Sequence, residues 1–248
     1  MSSLARMSKR SYARKPAQGP RPPAAAGPSR RGYAGMTPEE LDRERRRRLL
    51  DAALELFAKQ GYAHTSIEQL CAQSRVTARY FYQLFSSREA LLRALYDEII
   101  ARTRAATLAA LSGPGQDPQA RISGAIAAFV QAYVQDPRCA RVCVLEAVGV
   151  SAAMEKHRRD TIHAFAAVIE GFARHLAETG LLPKRDYHLL SVALVGGTNE
   201  LLAEWLTVEQ PPSIETLTQE IQLLFRAAIR GGIELLREAP GIDPRQTG

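Results

Sequence analysis

The segment Val76-Thr77-Ala78-Arg79-Tyr80-Phe81-Tyr82-Gln83-Leu84-Phe85 gathers side chains suited to the edges of nucleic-acid bases. A guanidinium at Arg79 matches the two acceptors of guanine, and a carboxamide at Gln83 matches the acceptor–donor pair of adenine. Tyr80 and Tyr82 offer hydroxyls to phosphates and flat faces to sugars or thymine methyls. Tyr80 fits equally well as core filler. If Phe81 and Phe85 point inward at i, i+4, then Ala78, Arg79, Tyr82 and Gln83 share the exposed face. This is chemistry of recognition, not of bond making. No Gly-rich phosphate loop, HExxH or nucleophile elbow occurs, and His157, His163, His175 and His188 have no metal-ligand spacing. No enzymatic activity, cofactor or metal is expected.

Positioning such a face takes short, sharply bounded helices. Three starts read as capping boxes: Thr37-Pro38-Glu39-Glu40, Thr65-Ser66-Ile67-Glu68 and Ser86-Ser87-Arg88-Glu89. Thr77 is a fourth cap. Gly61 ends the first helix, and Ser74-Arg75-Val76 makes a short break. Helices are therefore expected over Pro38 to Lys59, Ser66 to Gln73, Thr77 to Phe85 and Arg88 to about Leu111. Leu50, Ala53, Leu54 and Phe57 share one helical face, as do Ile67, Leu70 and Cys71. Two short helices crossing over a small apolar core form a helix-turn-helix, whose second helix fits a DNA major groove. Thr65 caps the first of them and has a hydroxyl for a phosphate, which helix N-termini attract.

Several motifs now stand in one order. They are Ala-Leu-Glu-Leu-Phe in the first helix, Gly61-Tyr62, Thr65-Ser66-Ile67, Val76-Thr77, and Tyr82-x-x-Phe85-x-Ser87-Arg88-Glu89-Ala90-Leu91-Leu92. Over roughly residues 40 to 95 the chain resembles the TetR family of transcriptional regulators. The resemblance implies an all-α, homodimeric DNA-binding protein whose C-terminal domain binds a small-molecule inducer. It also implies that Tyr82 contacts the DNA backbone and that Arg88 stands in for a phosphate-binding Lys. The sequence departs from the family at two positions. Arg75 replaces a common Gly, and if that site needs φ > 0 it costs on the order of 1 kcal/mol. Leu84 replaces a His that often touches phosphate, so that contact is expected to be lost.

The net charge of +7 lies in the tail. Residues 1–36 hold eight Lys/Arg and no acid, leaving 25 bases against 26 acids for the rest. This Pro/Gly/Ala-rich stretch has too little apolar surface to offset its ordering entropy and is expected to be disordered. It is either a basic arm adding phosphate contacts or a solvated extension, and Met36 permits a later start. A transit peptide would also suit the composition, but the bacterial character of the rest argues against it. In the first helix Arg43, Arg45, Arg46, Arg47 and Arg48 mix with Glu39, Glu40, Asp42 and Glu44. One or two of the arginines, Arg46 among them, are expected on phosphates and the others in ion pairs. Cys71, Cys139 and Cys143 form no C-x-x-C pair and suit buried small hydrophobes in a reducing cytoplasm. No apolar run is long enough to span a membrane.

Breaks at Asp136-Pro137, Gly180, Pro183 and Pro211-Pro212 divide the remainder into five expected helices: 119–135, 138–156, 158–179, 185–207 and 213–238. The fourth is apolar nearly all round, and the fifth carries Leu217, Ile221, Leu224 and Ala228 on one stripe. Two such helices from each subunit would build a four-helix homodimer interface; the other reading is burial within one subunit. Polar residues in apolar surroundings, Glu146, Asn199 and Trp205, and the aromatics Phe129, Tyr133, Phe165 and Phe172 are candidates for an effector pocket. The expected organisation is a tail (1–36), a helix-turn-helix domain (37–86) and an effector-binding and dimerisation domain (87–240). The expected function is a cytoplasmic, dimeric regulator on a pseudo-palindromic double-stranded DNA operator, a repressor released by an unknown small molecule. The alternative is a helical sensor or adaptor that has lost specific DNA binding.

Overall fold

A proline in its first turn and a reciprocal cap start helix α1 (Pro38–Gln60). The Glu40 N–H donates to Thr37 Oγ1 (3.2 Å), and the Thr37 N–H donates to Glu40 Oε2 (2.6 Å), as the capping box predicts. The structure, a computed structural model, describes residues 36–113 and 117–238, without the side chains of 232 and 235–238. Apart from Met36, the expected tail lies outside the described residues. The described residues divide into two units between Leu41 and Asp42. Among the described residues there are nine α-helices and no strand, which is the all-α class expected.

Helices α2 (Ile67–Ser74), α3 (Ala78–Leu84) and α4 (Arg88–Leu111) fall where the sequence puts them, but two of the caps differ. The α2 cap is Ser66, not Thr65, and its box partner is Gln69, not Glu68: Gln69 N donates to Ser66 Oγ while Ser66 N donates to Gln69 Oε1. Thr65 is fully buried, and its hydroxyl donates to the Gly61 carbonyl (2.8 Å). At α4 the cap is Ser87, bonded to Ala90 N; no carboxylate completes a box. Both corrections concern Ser/Thr doublets, where two cap registers are locally equivalent and the core chooses between them. Thr77 sits at the α3 N-cap with no side-chain cap bond.

Arg75 ends α2 at φ 54°, ψ 38°, the left-handed region. It is the one non-glycine residue with positive φ among the described residues. There its amide donates to Ala72 O, and the next amide, of Val76, reaches Cys71 O (3.1 Å). Its side chain is exposed and buries nothing in return. Arg75→Gly relieves roughly 1–2 kcal/mol of backbone strain and forfeits about 0.4–1 kcal/mol through the looser unfolded chain. A net gain of a few tenths to about 1 kcal/mol is expected in denaturant unfolding.

The remaining helices are α5 (Pro118–Val134), α6 (Pro137–Arg141), α7 (Ala152–Glu178), α8 (His188–Thr207) and α9 (Ile214–Glu238). The expected helix 138–156 is broken. After α6 the chain widens into a π-helical turn, Val142–Glu146, with Ala147 N bonded to Val142 O. Gly149 then turns the chain at φ +72°, and Ser151 caps α7 through Met154 N. The break expected near residue 157 does not occur. A glycine and a serine two residues apart were the overlooked stop and start signals.

One large hydrophobic cluster runs from α1 to α9, and two smaller ones lie along α7 and α8. Leu49, Ala53 and Phe57 of α1 close over Leu70, Phe81 and Phe85, and Leu91, Leu92 and Leu95 of α4 lie on the same cluster. That cluster runs on to Val130 and Tyr133 of α5, Leu202 of α8 and Ile221 of α9. Helix α4 therefore joins the α1–α3 cluster through Leu91, Leu92 and Leu95 and packs on α5.

Candidate functional site

Phe81 and Phe85 anchor α3, at 0% and 4% exposure. Their burial turns Thr77, Ala78, Arg79, Tyr82 and Gln83 to solvent. Tyr82 is 59% exposed although it is a large aromatic. Tyr80 is half-buried, and the Arg45 guanidinium lies 3.7 Å from its ring centroid. That stack fixes α3 against α1, so both readings of Tyr80 have a basis: one face packs and its edge remains at the surface.

The α1 arginines sort into two groups. Arg45 pairs with Asp42 (2.8 Å), Arg47 with Glu44 and Asp51, and Arg48 with Glu44. Arg43 and Arg46 have no carboxylate partner among the described residues. Arg46 is exposed and sits 4.8 Å over the Phe85 ring, at the end of α3. Arg88 is placed differently from the expectation. Its Nη1 donates to the Thr65 carbonyl, and its guanidinium lies 4.2 Å over the Tyr62 ring. It ties the start of α4 to the α1–α2 turn. With Thr65 buried as well, two of the expected phosphate contacts are occupied in holding the turn. Leu84 packs on the core.

A cavity of about 130 Å³ opens among α4, α5, α7, α8 and α9. Phe129, Phe165 and Phe172 of the candidate set line it. Phe129 and Phe165 meet edge to face at 5.5 Å. Tyr133 and Asn199 line a separate recess of about 20 Å³, beside Cys143 and Arg158. Burial pushes the Tyr133 phenol well above its usual range. Glu146 and Trp205 line neither space. Trp205 Nε1 donates to the Pro212 carbonyl (2.8 Å) and closes the α8–α9 corner. Glu146 accepts the Tyr62 amide through Oε2 (2.9 Å) and faces Arg141 Nε at 3.3 Å. Both polar groups have protein partners, as buried polar groups must, but those partners are remote or backbone. The sequence did not flag Leu182, Arg185 and Tyr187 as cavity-lining; their loop reads only as punctuation.

The thiols suit structural roles. Cys139 and Cys143 are buried, and burial pushes both thiols up, away from the reactive thiolate. In the folded protein one thiol, the part-exposed Cys71, is expected to be accessible to a thiol reagent, against three after unfolding, although burial raises the Cys71 pKa too. A stopped-flow labelling trace that finds two or three fast thiols in the native state contradicts this. Among the described residues no group of three His, Cys, Asp or Glu is disposed to hold a metal.

Residues 49–95 match the family described as bacterial regulatory proteins, tetR family. That match covers 47 of the 248 residues and marks the helix-turn-helix segment as similar to that family's. Two curated relatives carry the likeness at the level of sequence. The HTH-type transcriptional regulator TcmR of Streptomyces glaucescens is 40% identical over 90 residues, covering 36% of this chain and 38% of TcmR. The HTH-type transcriptional repressor NicS of Pseudomonas putida is 25% identical over 146 residues, 59% of this chain and 67% of NicS. The chain thus spans little more than a third of TcmR and about two thirds of NicS. FadR from Bacillus subtilis, solved in complex with stearoyl-CoA, superposes with a TM-score of 0.66 at 17% identity, over 75% of this chain and 98% of that one. At that identity the likeness is one of fold, and it extends the TetR-like architecture beyond the helix-turn-helix into the C-terminal helices.

Proposed function

We propose that this chain is a TetR-family regulator: homodimeric, DNA-binding and sequence-specific, a repressor released by a small molecule. The observation that carries this reading is α3. Its apolar side is locked into the core, while Arg79, Tyr82 and Gln83, with the unspent hydroxyl of Thr77, face solvent. In this reading residues 37–86 are the reading head and 87–240 the effector and dimer body. Arg46 and the α3 N-terminus contact phosphates, and Arg79 and Gln83 contact base edges.

Two heads are needed because one helix-turn-helix offers too little contact area for a specific site. The exposed line of α8, Leu189, Ala193 and Gly196, supports dimerisation, and Leu223 and Ala227 are exposed likewise on α9. Leu189, 79% exposed in the single chain, stands at one end of that line. Gly197 plays a different part: a Cβ there would lie 3.3 Å from Leu224 Cδ2, so it lets α9 approach α8 within the subunit. The heads would read half-sites about 34–36 Å apart, or a multiple of that. An effector in the body that favours another separation would release DNA by population shift. The stearoyl-CoA bound to FadR supports a small-molecule effector on this fold. No helix among the described residues is long and apolar enough to cross a membrane, which suits a cytoplasmic protein.

Selection of binding sites from random duplexes, followed by salt-resistant gel shifts and sedimentation, tests this reading. A pseudo-palindromic consensus bound by a dimer is the expected outcome. Binding that is uniform over sequences and collapses with salt would instead favour a sensor or adaptor without an operator.

A further inference from the structure

The chemistry of the cavity walls goes further than the word effector, on which this inference rests. Along α7 the lining runs from Phe165 to Leu176, and along α8 from Tyr187 to Thr198. At the α-helical rise each path is roughly 17 Å long. The cavity is therefore an elongated slot parallel to the helices. Its walls offer almost nothing polar to a ligand. The Thr198 hydroxyl donates to the Leu194 carbonyl, that of Thr107 to Thr103, and that of Tyr187 to Pro183. Each of these hydroxyl protons is committed to the protein's own backbone. Ser191, the one other hydroxyl on the walls, has no partner among the described residues, so a ligand with polar groups along its length would lose its water there and gain that one group.

One end is different. Leu182, Pro183, Arg185 and Tyr187 form the loop between α7 and α8, and Arg185 is the one charged residue among those lining the slot. Its Nε donates to the Asp186 carbonyl (3.2 Å), and its guanidinium lies 5.3 Å from the Tyr187 ring. Among the described residues its Nη groups have no carboxylate partner, and the side chain is exposed. The other nearby cation, Arg121, is already engaged: its Nε donates to Leu111 O (2.6 Å), and its guanidinium covers Phe172 at 5.0 Å.

We infer that the slot takes a long-chain acyl amphiphile, with the hydrocarbon tail running between α7 and α8 toward Phe165 and the anionic head held by Arg185. A planar guanidinium with free N–H groups suits a carboxylate or a phosphate, and such charge-assisted bonds are the strong ones. An apolar interior contributes binding in proportion to the tail area it removes from water. A free fatty acid and an acyl-CoA share this chemistry and are separated by experiment.

The test titrates the purified full-length chain, free of DNA, with palmitate, palmitoyl-CoA, octanoate and hexadecanol, by calorimetry and by thermal shift. Saturable binding of palmitate, palmitoyl-CoA or both, tighter than octanoate, is expected; which of the two binds more tightly identifies the head. Arg185→Ala should weaken the anionic ligand about tenfold or more and leave hexadecanol unchanged, while Arg185→Lys restores part of the loss. Ala173→Phe, which fills the slot at mid-length, should abolish binding of all three long chains. Its own melting curve shows whether it folds; if it does not, the Arg185 pair and the chain-length series decide. No binding of either long-chain anion overturns the inference, as does equal loss of hexadecanol in Arg185→Ala. The regulator reading is scored separately by gel shift. Ligand binding without release of operator DNA upholds the slot and removes the inducer role; operator binding without any ligand binding does the reverse.

Discussion

Arg79→Ala will lower the affinity of the protein for its selected operator about fivefold to more than a hundredfold for each half-site, the equivalent of roughly 1–3 kcal/mol. The loss will be uneven over sequences. A guanidinium that bonds two acceptors of one guanine is the element that rejects other bases at that position, so the variant should also tolerate substitution there. Thermal stability should stay within about 0.5 kcal/mol, since Arg79 is exposed and packs against nothing in the core. Tyr82→Phe is the companion. It keeps the ring and removes only the hydroxyl, so a loss of about 0.5–1.5 kcal/mol spread evenly over sequences is expected if that hydroxyl holds a phosphate. Quantitative gel shifts on a matched panel of single-base operator variants, with sedimentation to verify the dimer, give both readouts. Normal operator binding by both variants would remove α3 from the interface.

Glu146→Ala will destabilise the chain by about 1–3 kcal/mol, although the residue lies far in sequence from the turn it supports. The carboxylate is only 14% exposed and accepts the Tyr62 amide. Truncation leaves that half-buried amide without its acceptor and the Arg141 guanidinium without its counter-charge. Gly61 adds a second, separable prediction. It adopts φ +89°, and a Cβ there would meet Glu146 Oε2 at 3.2 Å. Gly61→Ala therefore combines backbone strain with pressure on the same carboxylate. In a double-mutant cycle the two changes should not add: with the carboxylate gone, only the strain at residue 61 remains. Chemical denaturation of the four proteins measures this directly, and simple additivity would show that the two sites are independent.

The helix order of residues 37–111 was legible because each start or stop there is written in local chemistry: a proline in the first turn, Ser and Thr caps, a glycine at Gly61. The same logic failed at Thr65-Ser66 and Ser86-Ser87. Either member of such a doublet can cap, and only the fit of Thr65 into the core and its bond to Gly61 O decide. The exposed side of α3 followed from Phe81 and Phe85 alone, since two buried aromatics one turn apart determine the opposite face. Arg88 and Glu146 were misplaced for a shared reason. Each is a charged residue whose partner is a backbone group in the α1–α2 turn, Thr65 O for one and Tyr62 N for the other. Backbone partners leave no mark in sequence. The aromatics at the slot were visible as an apolar stripe, but a stripe facing a void and one facing a neighbour have the same spacing. The widened turn at Val142–Glu146 carries no residue type that announces it.

That widened turn sets the angular phase of the residues at its far end. An ordinary α-helix advances by about 100° per residue and the widened turn by less, so tightening Val142–Glu146 to an α-turn with every residue kept would carry the Glu146 carboxylate round by most of one such step, away from Tyr62. Coil width and residue count in this short stretch are therefore coupled: a change in one is silent only when the other compensates.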